Sequence, residues 1–209
     1  QARHVTIKID PDTQFQRLDG FGVSINTGWW YNGSWGDATV TQPAIDWLID
    51  SLGASLFRAV IEDMDWEAVN DDADPMHFNM NYYNEIFSSQ RFEGVWKTLR
   101  YLNARGIDGN RMILSFMGAP PTTPVHEPAD PKKSWMGGTD YSIHPAMEDE
   151  FVETIAAFLY YARHTAGIRF YLVAPVNETE QVHDARNNEH PQGVLEGPNI
   201  PDAGQLTRI

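Results

Sequence analysis

The sequence predicts an α/β chain of the (β/α)8 TIM-barrel type, holding only the first four strand-helix units and an extra strand before them. Three observations carry this expectation. Four short apolar runs recur along the 209 residues, beginning near Gly22, Ser55, Arg111 and Tyr171. Stretches of helical periodicity separate them and no hairpin turn joins one to the next, so the strands are expected to pair in parallel. No phosphate-binding glycine fingerprint follows the first run, which argues against an open doubly wound sheet. A full barrel takes about 250 residues, whereas this sequence spends 209 on roughly half of one. The expected division is an extra strand within residues 1–15 and a half barrel over residues 16–209, truncated or completed by another chain.

Taken in order, Val5 to Ile9 alternates with period two and stops at Asp10-Pro11-Asp12, which reads as an edge strand outside the main fold. Leu18-Asp19-Gly20-Phe21-Gly22 feeds the first apolar strand, with two glycines where backbone must approach something closely. The next loop carries Trp29, Trp30, Tyr31 and Trp35. It either folds inward as a satellite core or presents a platform for sugar rings. A helix is expected from Pro43, with Ile45, Leu48, Ile49 and Leu52 on one face and Gly53 as its stop. The second strand, Ser55 to Val60, contains Arg58, a guanidinium that is costly in such a run unless a carboxylate or ligand pairs with it.

An acidic loop follows, from Glu62 to Asp74 around Trp66. It lacks the glycine and terminal glutamate of a calcium loop, so most of its acids read as solvated. Asp63 and Asp65, nearest the strand end, are the candidates for ligand contact, with Trp66 beside them. A second helix spans about Arg91 to Arg105, and the third strand is Arg111 to Phe116. The long loop after it holds Trp135, a further candidate sugar contact, and His126, Glu127, Asp130 and His144, whose spacing matches no zinc pattern. A third helix begins near Pro145, carries acids at 148–150 in its first turn and ends at Gly167. The fourth strand then delivers Asn177 and Glu178 to an open rim, where parallel barrels carry their chemistry. The tail from Glu196 to Ile209 reads as the approach to a fourth helix.

Composition narrows the function classes. A formal net charge of −14 with 15 Lys and Arg leaves no basic stripe, so nucleic acid is not an expected partner. There is no apolar run of membrane-spanning length, and the start at Gln1 reads as a processed, secreted product. Absence of Cys excludes disulfides, thiolate nucleophiles and thiolate-zinc sites. No cofactor or metal is expected.

Leu18-Asp19-Gly20-Phe21-Gly22 after an extra strand, Arg58 on the second strand, Pro120-Pro121 after the third and Asn177-Glu178 ending the fourth together resemble clan A retaining glycoside hydrolases. They look most like family 30, the glucosylceramidase, endoxylanase and galactanase group. Met117-Gly118-Ala119-Pro120-Pro121 departs from the family's usual Trp-Ser-Pro-Pro. The resemblance implies a β-glycosidase in which Glu178 is the acid/base, Asn177 meets the sugar 2-hydroxyl and Arg58 keeps the nucleophile ionised. The family's nucleophile lies on a seventh strand, which this sequence lacks. A C-terminal half-barrel chain or a homo-oligomer is therefore expected to complete the site. Two rivals stand beside this reading. One is a non-catalytic carbohydrate-binding protein, and the other an inverting hydrolase using Asp63 or Asp65 as base across about 6.5–9.5 Å.

Overall fold

The computed structural model of the chain describes residues 5–27, 38–61, 64, 66, 67, 69–117, 135–137, 143–179, 198, 200 and 202–209. Four strands form one parallel sheet in sequence order: β1 (Gly22–Asn26), β2 (Leu56–Ile61), β3 (Met112–Phe116) and β4 (Leu172–Ala174). Helices α1 (Ala38–Asp50), α2 (Met80–Phe87), α3 (Gln90–Ala104) and α4 (Glu148–Tyr161) lie between them, and a short α5 (Ala203–Leu206) follows β4. The expected α/β alternation and parallel pairing are present.

Register decides which side chains share a face. Phe57, Ala59 and Ile61 of β2 stand opposite Met112, Leu114 and Phe116 of β3. With side chains alternating across each strand, these six point the same way, and all are buried in one core with residues of α1 to α4. Arg58 and Ile113 point to the opposite face, where both are only partly buried. Leu172, aligned with Ile113, is 53% exposed. The helix residues of the core lie against the first face, while on the opposite face Val60 and Ser115, nearer the C-terminal ends, are buried and Arg58 and Ile113 partly so. A fully parallel sheet ordinarily has both faces covered, because its strands are apolar on both sides.

Trp66 sits at the centre of the covered face. Its ring lies 5.9–6.1 Å, centroid to centroid, from Phe87 of α2, Phe92 of α3, Phe116 of β3 and Phe158 of α4. Trp96 stacks on Phe158 at 5.1 Å and donates its indole N–H to the Phe87 carbonyl at 2.6 Å. One tryptophan therefore ties three helices and a strand together.

Some boundaries differ from expectation. Residues 5–9 form no strand and are exposed; a strand needs hydrogen-bonded neighbours, and none pairs with them among the described residues. Pro43 lies inside α1 rather than at its start, so the helix forgoes one hydrogen bond there. Leu52 falls past the end of α1 and is exposed. Helix α2 was not foreseen, although Asn79 caps it by accepting the Tyr82 N–H at 3.4 Å. The third predicted helix starts as a 3-10 turn, Pro145–Met147, and leaves α4 through a wide turn, Ala162–Ala166, that Gly167 ends at φ 74°. A Cβ on Gly22 would stand 2.9 Å from the Leu56 carbonyl oxygen, so the close backbone approach expected of that glycine is present.

Candidate functional site

The residues that the fold gathers at the C-terminal rim of the sheet begin with Arg58. Its side chain starts on the face of β2 opposite Phe57 and Ala59 and leans along the strand toward the C-terminal ends, because Ser115 lies two positions beyond its aligned neighbour Ile113. There Nη2 donates to Ser115 Oγ at 2.7 Å and to Asn177 Oδ1 at 3.0 Å. Both hydrogens of that nitrogen are consumed. The remaining donors, on Nη1 and Nε, make no hydrogen bond and no carboxylate pairs with Arg58 among the described residues. Among the described residues, the guanidinium is thus fixed on one edge and unpaired on the other.

The Arg58 contact also orients Asn177. With Oδ1 held as acceptor, the amide nitrogen turns away from the guanidinium and offers its two hydrogens elsewhere. Glu178 follows, exposed, with φ 43°, the one positive φ at a non-glycine residue among those described. That left-handed conformation costs a non-glycine residue of order 1–3 kcal/mol and persists only where the surroundings impose it. The strain falls at the residue singled out as acid. Sequence reasoning brought Arg58, Asn177 and Glu178 forward and missed Ser115. The available signal was a lone hydroxyl within the apolar strand, one strand over from a lone arginine.

Two other expected contacts lie elsewhere. Trp66 is 3% exposed and its neighbours are protein aromatics, so it is a core residue and presents no face to a sugar. Trp135 is partly buried against the same core and donates Nε1–H to the Glu67 carbonyl at 2.8 Å. Trp29, Trp30, Asp63 and Asp65 lie outside the described residues, as do Pro120, Pro121, His126, Glu127 and Asp130. His144 caps the 3-10 turn by accepting the Ala146 N–H at 3.1 Å. Asp72 and Asp74 build turns, accepting the N–H groups of Asp74 and Met76 at 2.7 and 3.1 Å. Among the described residues no group of His, Asp and Glu has the arrangement to hold a metal ion, and no helix is long and apolar enough to cross a membrane.

A second polar assembly lies beneath the rim, between the segment after β2 and helices α2 and α4. Glu67 is fully buried; its Oε2 accepts from Tyr83 Oη at 2.9 Å and is in contact with Thr154 Oγ1. Burial pushes its carboxyl up to about 7. Glu153 is 2% exposed with neither carboxyl oxygen hydrogen-bonded, and burial, reinforced by Asp71, pushes it up to about 8. Glu150 is buried beside them and also raised, chiefly by burial. The sequence reading placed Glu150 among the acids of a helix's first turn, and Glu67 in a loop most of whose acids read as solvated; nothing in residue type alone distinguishes a buried glutamate from an exposed one.

No protein-family model matches the sequence, and no curated protein matches it significantly.

Proposed function

We propose that this chain supplies the N-terminal half of a (β/α)8 barrel in a β-glycosidase that acts with retention of configuration, with Glu178 as acid/base. The observation that carries the reading is the 3.0 Å bond from Arg58 Nη2 to Asn177 Oδ1 at the C-terminal rim of the parallel sheet. It joins two residues that are 119 positions apart in sequence and leaves both with donors pointing away from each other, beside a strained glutamate.

Each group has a task in this chemistry. Glu178 protonates the leaving oxygen and then, as a base, takes a proton from water. The Asn177 amide hydrogens meet the sugar 2-hydroxyl, a contact that strengthens as charge develops on the ring. The unpaired edge of Arg58 receives the nucleophilic carboxylate and favours its ionised form, while the acid must keep its proton. In this reading that carboxylate belongs to a later strand of the barrel, beyond residues 1–209. Sequential strand order with helices on one face suits single winding into a barrel better than a doubly wound sheet, whose helices cover both faces. The exposure of Leu172 and Val173, 53% and 36%, suits an edge built to be covered by further strands of the barrel. A carbohydrate with β-glycosidic linkages is the substrate class.

The test is Glu178→Gln in the active assembly. Turnover of a natural glycoside should fall by about 10²–10⁴, and hydrolysis of an aryl glycoside with a good leaving group should suffer less. Near-normal turnover of the natural substrate would remove Glu178 from the mechanism. Separately, a monodisperse monomer of residues 1–209 hydrolysing glycosides at ordinary rates would overturn the half-barrel reading.

A further inference from the structure

The buried glutamates under the rim form an unusual junction. Glu67 belongs to the segment that leaves β2, Glu150 and Glu153 to α4, and Tyr83, which donates to Glu67, to α2. Around the three carboxyls stand Asp71 and Asp72 from the same segment, Tyr82 and Tyr83 from α2, and Thr154 from α4. His77 pairs with Asp72 at 3.0 Å on the exposed side. Among the described residues no Lys or Arg forms an ion pair with Glu67, Glu150 or Glu153.

With no cation paired to them among the described residues, three buried carboxylates would repel one another and forfeit hydration if all were ionised. Their oxygens show the same deficit: Glu67 Oε1, Glu150 Oε2 and both oxygens of Glu153 have no hydrogen-bond partner. Thr154 adds an independent count. Its hydroxyl has one hydrogen, yet Oγ1 contacts two acceptors, the Glu150 carbonyl at 3.1 Å and Glu67 Oε2. A proton on Glu67 supplies the missing hydrogen, donated to Thr154 Oγ1.

We infer that Glu67, Glu150 and Glu153 form a proton-loaded latch: protons held among these buried carboxyls fasten the segment leaving β2 to α2 and α4, and their loss at mildly alkaline pH releases it. The inference does not depend on the glycosidase reading, since the latch is a property of the folded chain. Carboxyls raised by folding contribute stability that is whole below the ordinary carboxylate pKa and is lost as pH rises through the folded values, about 7 for Glu67 and about 8 for Glu153. The segment that loosens is the one that Trp135 also grips through the Glu67 carbonyl.

The experiment measures the thermal midpoint of the whole chain between about pH 6 and about pH 9 for wild type and for Glu153→Gln, which keeps the shape of the protonated acid without titrating. Wild type should lose on the order of 5–10 °C across that window; the variant should lose much less and overtake wild type at the alkaline end. A parallel readout follows the side-chain carboxyl carbons of labelled glutamate by NMR, where Glu67 and Glu153 should titrate near neutrality rather than in the usual carboxylate range. Should Glu153→Gln fail to fold, the wild-type titration alone decides. Flat wild-type stability, or ordinary titration of every glutamate, overturns the latch. So does a midpoint that millimolar Ca²⁺ or Mg²⁺ raises at alkaline pH in wild type but not in the variant, since the counter-charge would then be a metal ion.

Discussion

Replacing Trp66 separates a core role from a sugar-binding one, and its magnitude follows from the surroundings. Truncation to alanine empties a site bounded by four aromatic rings at 5.9–6.1 Å, and large aromatic-to-alanine changes in cores cost about 3–5 kcal/mol. The site is shared by two helices before β3 and one after it, so it cannot collapse by moving one element, which places the expected loss near the upper part of that range. Trp66→Phe behaves differently. It leaves a smaller cavity, worth about 1–2 kcal/mol, but also removes an indole N–H that is buried without a partner; such an orphan donor costs about 1–3 kcal/mol. The two terms oppose, and Trp66→Phe should lie within about 1 kcal/mol of wild type. Urea unfolding at equilibrium reads both: with a slope of about 2–3 kcal/mol per M, Trp66→Ala should lower the midpoint by about 1.5 M, and Trp66→Phe should barely move it. An unchanged midpoint in Trp66→Ala would refute the core placement. Equal losses in the two variants would refute the argument from the orphan donor.

Two further expectations concern the sheet. Ser115→Ala removes the acceptor that anchors Arg58 Nη2; stability should fall by about 1 kcal/mol, and in an active assembly the catalytic constant should fall with the Michaelis constant nearly unchanged, as steady-state kinetics would show. Gly22→Ala drives a methyl to 2.9 Å from the Leu56 carbonyl oxygen, so the β1–β2 pair must separate; a loss of about 1–3 kcal/mol in chemical denaturation is expected.

The parts of this fold that could be read from sequence are those whose chemistry is one-sided. The apolar runs of β2 and β3 had no plausible place except a buried sheet, and Arg58 announced itself by interrupting one of them. Helix α2 escaped because Met80–Phe87 is short and rich in Asn and Tyr, with only Tyr83 and Phe87 buried. Residues 5–9 misled for the opposite reason: their alternation is a strand pattern, but pairing depends on a neighbour that local sequence does not specify. Trp66 was misplaced because its neighbours in the chain are acids, while its neighbours in space come from α2, α3, β3 and α4. The latch was invisible for the same reason, since Glu67 and Thr154, which touch in the fold, lie 87 positions apart in the chain.

The order of the strands has a consequence in time. Because β1, β2, β3 and β4 are neighbours in the order in which a ribosome emits them, each new strand finds its partner already made, and the sheet grows at one edge without waiting for a distant segment. The aromatic hub does not share that advantage. Phe87 and Phe92 can surround Trp66 early, but Phe116 and then Phe158 arrive only with β3 and α4, so a nascent chain carries an open tryptophan socket until its second half has left the exit tunnel. During that interval the growing chain exposes apolar surface that the finished fold hides, and the arrival of α4 is the event that ends it.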